Sequence, residues 1–310
     1  LPPLPMERMS EAVRIADEKL SALGITSIHD VSVRNNVQRL NRFRYWKARG
    51  ILKTRLHVAL GIEGFRESLN VPFSDGTEGE WSSLHGVKVM VHETTGRLAP
   101  AQEELNRLVF EIHRSGRQAI LHAIEGKTIH AACSAIEYAL EKLPRPDPRH
   151  RVEHCSVCDP GLALRLFSIG ACVVTKPSFL YYNGDRYLKT VPDSRLRHLY
   201  PIGTMLTAGI RVAAGSDSPL VPADPLAGIY SAVTRKTQSG AAVLPKEGVS
   251  PWTAIRMVTR GASEVSFEEG RLGSIGPGRF ADLVILNRDP TRIPVDQIKD
   301  LQVETTILGG

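Results

Sequence analysis

The chain has 310 residues, 42% of them apolar and 23% charged. It is long enough to bury a substantial core, and its usage is that of neither a disordered chain nor a fibrous repeat. Lys and Arg number 39 against 33 Asp and Glu, a net charge of +6. That excess contains no run of five basic residues, which argues against a nucleic-acid partner. No apolar stretch approaches the roughly 20 residues of a membrane span. The four cysteines, Cys133, Cys155, Cys158 and Cys172, are too few for a disulfide scaffold and suit the reducing cytoplasm.

The chain opens on Leu1-Pro2-Pro3-Leu4-Pro5, without an initiator Met or the basic-then-apolar profile of a signal peptide. This reads as an internal linker, so a longer parent chain is expected. An amphipathic helix follows over 9–23 and a strand over 25–29. Further short apolar, β-branched runs lie at 54–60, 86–91, 118–122, 150–154, 171–175 and 211–214, with helical spacing of apolar residues at 103–115 and 128–143. Strand starts at 54, 86, 118 and 150 recur every 32 residues. Buried strands alternating with helices predict a parallel sheet. Seven such strands fit a doubly wound sheet or a (β/α)8 TIM-type barrel lacking one strand. The absence of G-x-G-x-x-G after the first favours the barrel. Beyond residue 262 the text becomes turn-rich, with strands in Ala281-Asp-Leu-Val-Ile-Leu and at 302–308. The expected division is a barrel of strands two to eight over 1–262 and part of a small β-sandwich over 263–310.

In a barrel, chemistry gathers at the C-terminal ends of the strands. Lys88 lies in Gly86-Val-Lys-Val-Met, His122 ends Ala119-Ile-Leu-His, His154 ends Arg151-Val-Glu-His, and Asp217 follows the last strand in Gly215-Ser-Asp-Ser-Pro. Each has an ordinary reading by itself: a hydrogen-bonded strand-end His, a snorkelling Lys, a turn or cap Asp. Together they fall at one end of one architecture, and two imidazoles with a carboxylate are ligands suited to zinc and similar divalent ions. Cys155 and Cys158 form one Cys-x-x-Cys, too little for a closed zinc site, and read as small buried residues. His57 reads as barrel wall, and His29-Asp30 as packing near the mouth. Arg97, Tyr181, Tyr182 and Arg186 are placed on loops above the barrel, where substrate contacts are made.

These motifs resemble the amidohydrolase superfamily of metal-dependent hydrolases, and more narrowly the branch of N-substituted formamide deformylase. The resemblance rests on Gly24-Ile-Thr-Ser-Ile-His-Asp, Gly86-Val-Lys-Val, Leu121-His-Ala-Ile, Arg151-Val-Glu-His, Gly215-Ser-Asp-Ser-Pro and Gly273-Ser-Ile-Gly-Pro-Gly-Arg-Phe-Ala-Asp-Leu-Val-Ile-Leu. It implies a barrel holding one or two divalent metals, zinc first with iron or manganese open. Lys88 would be the carboxylated bridging ligand, His122 and His154 would hold one metal, and Asp217 would be both ligand and catalytic proton shuttle. The implied reaction is hydrolysis of a C–N bond (amide, formamide or cyclic imide) in a small molecule. Ester hydrolysis, deamination on the same barrel, or a non-catalytic remnant are the alternatives, and a homodimer is left open. The family's His-x-His does not occur in this sequence, so it is expected before Leu1 with strand one. Glu125-Gly126 also stands where the family often has Gly-Asp.

Overall fold

The computed structural model describes residues 4–70 and 82–310; Leu1, Pro2 and Pro3 of the expected linker lie outside them. Seven strands form one sheet: β1 (Ser27–Asp30), β2 (Arg55–Gly61), β3 (Ser82–Met90), β4 (Gln118–Ala123), β5 (Arg151–His154), β6 (Cys172–Thr175) and β7 (Arg211–Ala214). Their order across the sheet is their order along the chain. A doubly wound sheet reverses that order at a switch point; a singly wound one does not. The fold is therefore a partial TIM-type α/β barrel, as the sequence predicts, and every expected strand is present to within a few residues. By compactness the chain divides into two units, one of Leu1–Lys88, Phe280–Asn287 and Gln302–Gly310, the other of Val89–Arg279 and Arg288–Leu301. Among the described residues no helix is long and apolar enough to cross a membrane.

In the first unit, helix α1 (Met6–Ala22) and helix α2 (Val37–Ala48) cover β1 and β2. Leu40, Trp46, Leu52, Leu56 and Val58 form the core, with Met9, Val13, Ile28, Phe43 and Ile51 packed on it. Every residue of β2 is buried, the burial expected of a parallel strand covered on both faces. Asp17 of α1 accepts the Lys53 and Thr54 N–H groups, both at 2.9 Å, and so fixes the entry to β2. Two further strands, β8 (Leu283–Leu286) and β9 (Val303–Ile307), pair antiparallel. Arg55 opens β2 with a buried guanidinium that meets Asp282 at 2.6 and 3.0 Å and lies 4.0 Å over the Phe280 ring. Asp282 also accepts the Gly309 N–H at 2.8 Å. The Phe280-Ala-Asp sequence thus anchors the C-terminal strand pair through a bidentate ion pair.

In the second unit β4 to β7 are parallel neighbours. Helix α3 (Gln102–Arg114) buries Leu105, Val109 and Ile112 on one stripe and carries Glu103 and Glu104 in its first turn, His113 and Arg114 in its last. At the N-terminal ends of the strands, His150 Nδ1 accepts the Ala119 N–H at 2.9 Å. Its Nε2 must therefore carry the proton and donate to His113 Nδ1 at 2.8 Å, leaving His113 Nε2 to donate to the Leu143 carbonyl at 2.7 Å. Burial drives the His150 pKa down to about 3, so this chain of bonds stays neutral. The end of the strands remote from the site is held by neutral imidazoles.

Candidate active site

His122, His154 and Asp217 emerge at the C-terminal ends of β4, β5 and β7, all in the second unit. The His122 and His154 rings meet edge to face with centroids 4.5 Å apart, and Phe179 flanks His154 at 6.4 Å. His154 Nε2 lies 3.8 Å from Asp217 Oδ2. His154 is buried, whereas the Asp217 side chain is 31% exposed and open to a ligand. Both residues have left-handed backbone, φ +72° and +57°, and Cys155 follows at +49°. Such conformations cost about 1–3 kcal/mol each in non-glycine residues and concentrate where a side chain must be aimed. At β5 the turn is fixed by the Cys155 N–H, which bonds the Ala123 carbonyl at 3.0 Å. At β7, Gly215 donates its N–H to Thr175 at 3.0 Å and the chain then swings Asp217 back over the rim.

Lys88 is buried in β3, opposite Gly61 of β2 in the register of the first unit. His57 is buried in β2 and packs edge to face on His29 at 5.2 Å. Asp30 accepts the Ser32 N–H at 2.8 Å and the Asn35 amide at 3.0 Å, closing the turn after β1. Two placements are corrected. Tyr181, Tyr182 and Arg186 do not lie on a loop but on helix α4 (Pro177–Thr190), because Pro177 stands at the first helical position, where its missing N–H costs nothing. The Tyr181 ring packs on Tyr182 at 4.9 Å and Tyr230 at 5.6 Å, and Arg186 is exposed. Arg97 is exposed in a hairpin of His92–Thr94 and Arg97–Ala99, whose two-residue turn, Thr95-Gly96, has positive φ at both positions. Glu125, the departure after His122, serves the helix that follows: its N–H bonds Thr128 Oγ1 at 3.1 Å, and its carboxylate pairs with Arg195 at 2.8 Å.

The chain matches a sequence model of the amidohydrolase family over residues 1–310. It belongs to the amidohydrolase family. It is similar to YtcJ of Bacillus subtilis (strain 168), 27% identical over 334 aligned positions that take in all of this chain and 62% of that protein. It is also similar to N-substituted formamide deformylase of Arthrobacter pascens, 28% identical over 211 positions, 68% of this chain and 39% of the enzyme. Among solved structures, a metal-dependent hydrolase of Pyrococcus horikoshii OT3 superposes with a TM-score of 0.80 at 23% identity, covering 94% of this chain and 62% of its own. The chain thus spans about three fifths of YtcJ and about two fifths of the deformylase.

An amidohydrolase implies a divalent metal. Two donors on a common ion, each about 2.1 Å from it, can stand at most ~4.2 Å apart. His154 Nε2 and Asp217 Oδ2, at 3.8 Å, satisfy that limit, and imidazole with carboxylate suits zinc, iron or manganese. The pair fits a divalent ion. Among the described residues no group of three or more His, Cys, Asp or Glu side chains is gathered closely enough to hold one, so the pair supplies part of a coordination sphere.

The Cys-x-x-Cys is buried directly behind His154 in the sequence. Cys133, Cys155 and Cys158 are free and buried. A hydrogen bond with Cys158, then burial, raises the Cys155 thiol well above its usual range, and burial pushes Cys133 up to about 12. Since all three side chains are buried away from any reagent, a thiol reagent at pH 8 should label none of the three in the native protein and all of them after unfolding. Native labelling counted by intact mass checks this.

Proposed function

We propose that this chain belongs to a metal-dependent hydrolase that cleaves a C–N bond, of an amide, formamide or cyclic imide, in a small molecule. The observation that carries the reading is the meeting of His122, His154 and Asp217 at the rim of an amidohydrolase barrel, with His154 and Asp217 within the span of one ion. A bound divalent cation lowers the pKa of coordinated water and polarises the scissile carbonyl. His154 and Asp217 would hold it as a pair, with His122, packed on His154, and a carbamate on Lys88 proposed to complete the sphere. Asp217, the more exposed carboxylate of the rim, accepts the proton of the attacking water and returns it to the leaving nitrogen. His154, buried with the Phe179 ring beside it, has its ring orientation held by that packing.

The purified protein should carry a divalent metal by elemental analysis, and chelation should abolish hydrolysis across a panel of amides, formamides and cyclic imides. Lys88→Ala should lower metal occupancy, and short carboxylic acids should restore part of the activity. A protein free of metal, or one indifferent to chelation, would overturn the reading; unchanged occupancy in Lys88→Ala would remove Lys88 from the site.

A further inference from the structure

The turn that aims His154 is gripped from two sides. Val157 donates its N–H to the Ile124 carbonyl at 2.9 Å, tying the turn to the residues that follow His122. On its other flank runs the segment 198–200. The Cys158 N–H bonds the His198 carbonyl at 3.2 Å, Leu199 pairs antiparallel with Val157, and the Tyr200 N–H bonds the Ser156 carbonyl at 2.6 Å. Tyr200 is buried and has left-handed backbone, φ +47°, a conformation that a bulky residue keeps only where its surroundings impose it. Burial first, and then neighbours that include Tyr187 and Asp217, hold its hydroxyl well above the usual tyrosine range. The segment therefore grips the His154 turn through its backbone and lies within the field of Asp217 through its hydroxyl.

What holds this segment is Arg235, a left-handed residue (φ +57°) that ends the helix Pro225–Thr234. Its side chain is fully buried. Nη2 donates to the Leu199 carbonyl at 3.0 Å and Nε to the Val243 carbonyl at 3.2 Å, while Nη1 is buried without a partner. Neither bond is to a carboxylate. Glu247, whose field the guanidinium feels, instead accepts the N–H and hydroxyl of Thr204, both at 2.8 Å. Burial accordingly draws the Arg235 pKa down to about 10. Leu199, Tyr200 and Val243 already share an apolar cluster with Leu180, and an apolar side chain at 235 would join it without desolvating a charge. What a guanidinium adds is a rigid fork that directs bonds to two separate backbone segments at once.

We propose that Arg235 is a positioning residue for the rim: by holding Leu199 it keeps the segment 198–200 strapped across the turn behind His154. The chain of contacts is short. Arg235 fixes Leu199, the strap fixes residues 156–158, and these fix the left-handed pair His154-Cys155 from which the imidazole is aimed. The proposal rests on the hydrolase reading for the ion that His154 and Asp217 hold, but the strap itself can be followed without metal. Released from Arg235, residues 156–158 keep only their link to Ile124, and Cys155 and Cys158 lose their cover.

The test follows the four thiols and zinc binding in the full chain. In Arg235→Met a thiol reagent at pH 8 should reach Cys155 and Cys158 at least about tenfold faster than in the unaltered protein, as the loss of bonds to buried carbonyls warrants. Cys133 and Cys172, which lie in a helix and a strand outside the strap, should stay as slow as before, and peptide masses assign the labels. Zinc affinity, read by competition with a chelating indicator, should fall by about tenfold or more. Arg235→Lys keeps the charge and one bond to a carbonyl; it should recover part of both losses, and it covers the case in which the Met variant folds poorly. Faster labelling of all four thiols together would make Arg235 a general support of the fold and overturn the proposal. So would unchanged labelling in both variants, or local opening with unchanged zinc affinity. An unaltered protein that binds no zinc would count against the hydrolase reading alone, and the labelling pattern would still decide on the strap.

Discussion

Asp217→Asn in the metal-loaded protein should lower turnover by about 10² to 10⁴-fold, the range that a positioned proton-transfer group contributes, with metal content unchanged. Asparagine is nearly isosteric and keeps an Oδ as a potential ligand, but it cannot take a proton from water. It also tolerates the left-handed backbone that Asp217 occupies at φ +57°, since Asn and Asp are the non-glycine residues most at home there. The side chain is 31% exposed, so the substitution buries no new polar group and the melting temperature should hardly move. Turnover on any accepted amide, read beside elemental analysis and a melt of the same preparation, separates the outcomes. Near-normal turnover would remove the proton-shuttle role from Asp217, whereas loss of metal together with activity would make it chiefly a ligand.

The fold was legible in the sequence because a buried parallel strand writes itself as a continuous apolar run. β2, buried at all seven positions, is the plainest case, and the order of the strands follows from the regular spacing of such runs. His122, His154 and Asp217 were legible for a related reason: strand ends in a barrel share one rim, so residues far apart in sequence can be brought together by topology alone. What could not be read was direction within that rim. Pro177 looks like the start of a loop, yet at a first helical position it begins a helix and carries Tyr181, Tyr182 and Arg186 with it. Glu153 and Lys176 were missed because their meeting depends on register: Glu153 stands opposite Val174, and only a side chain two residues further along the neighbouring strand can reach back to it. A Lys closing the apolar run Ala171-Cys-Val-Val-Thr was the available signal, since a charge at that point needs a buried partner.

Glu153→Gln and Lys176→Met should differ sharply in stability, although both break the same 2.8 Å ion pair. Removing the carboxylate leaves the Arg151 and Lys176 cations buried with no counter-charge from it, and breaking a buried pair in this way costs about 3–5 kcal/mol. That is a large share of the roughly 5–15 kcal/mol by which a protein of ordinary stability stays folded. Removing the ammonium instead leaves Arg151 bonded to Glu153 at 2.9 and 2.7 Å, and puts a methionine of similar length at a buried position, at a cost of about 1.5 kcal/mol or less. The double variant should recover part of the Glu153→Gln loss, because the Lys176 cation that has lost its counter-charge is removed as well, and residues sharing a partner couple in this sense. Urea midpoints for the three variants and the unaltered chain measure the cycle. The asymmetry follows from counting charges around one carboxylate. If Lys176→Met proves as damaging as Glu153→Gln, then the Lys176 ammonium, rather than the Arg151 guanidinium, is the chief counter-charge of Glu153.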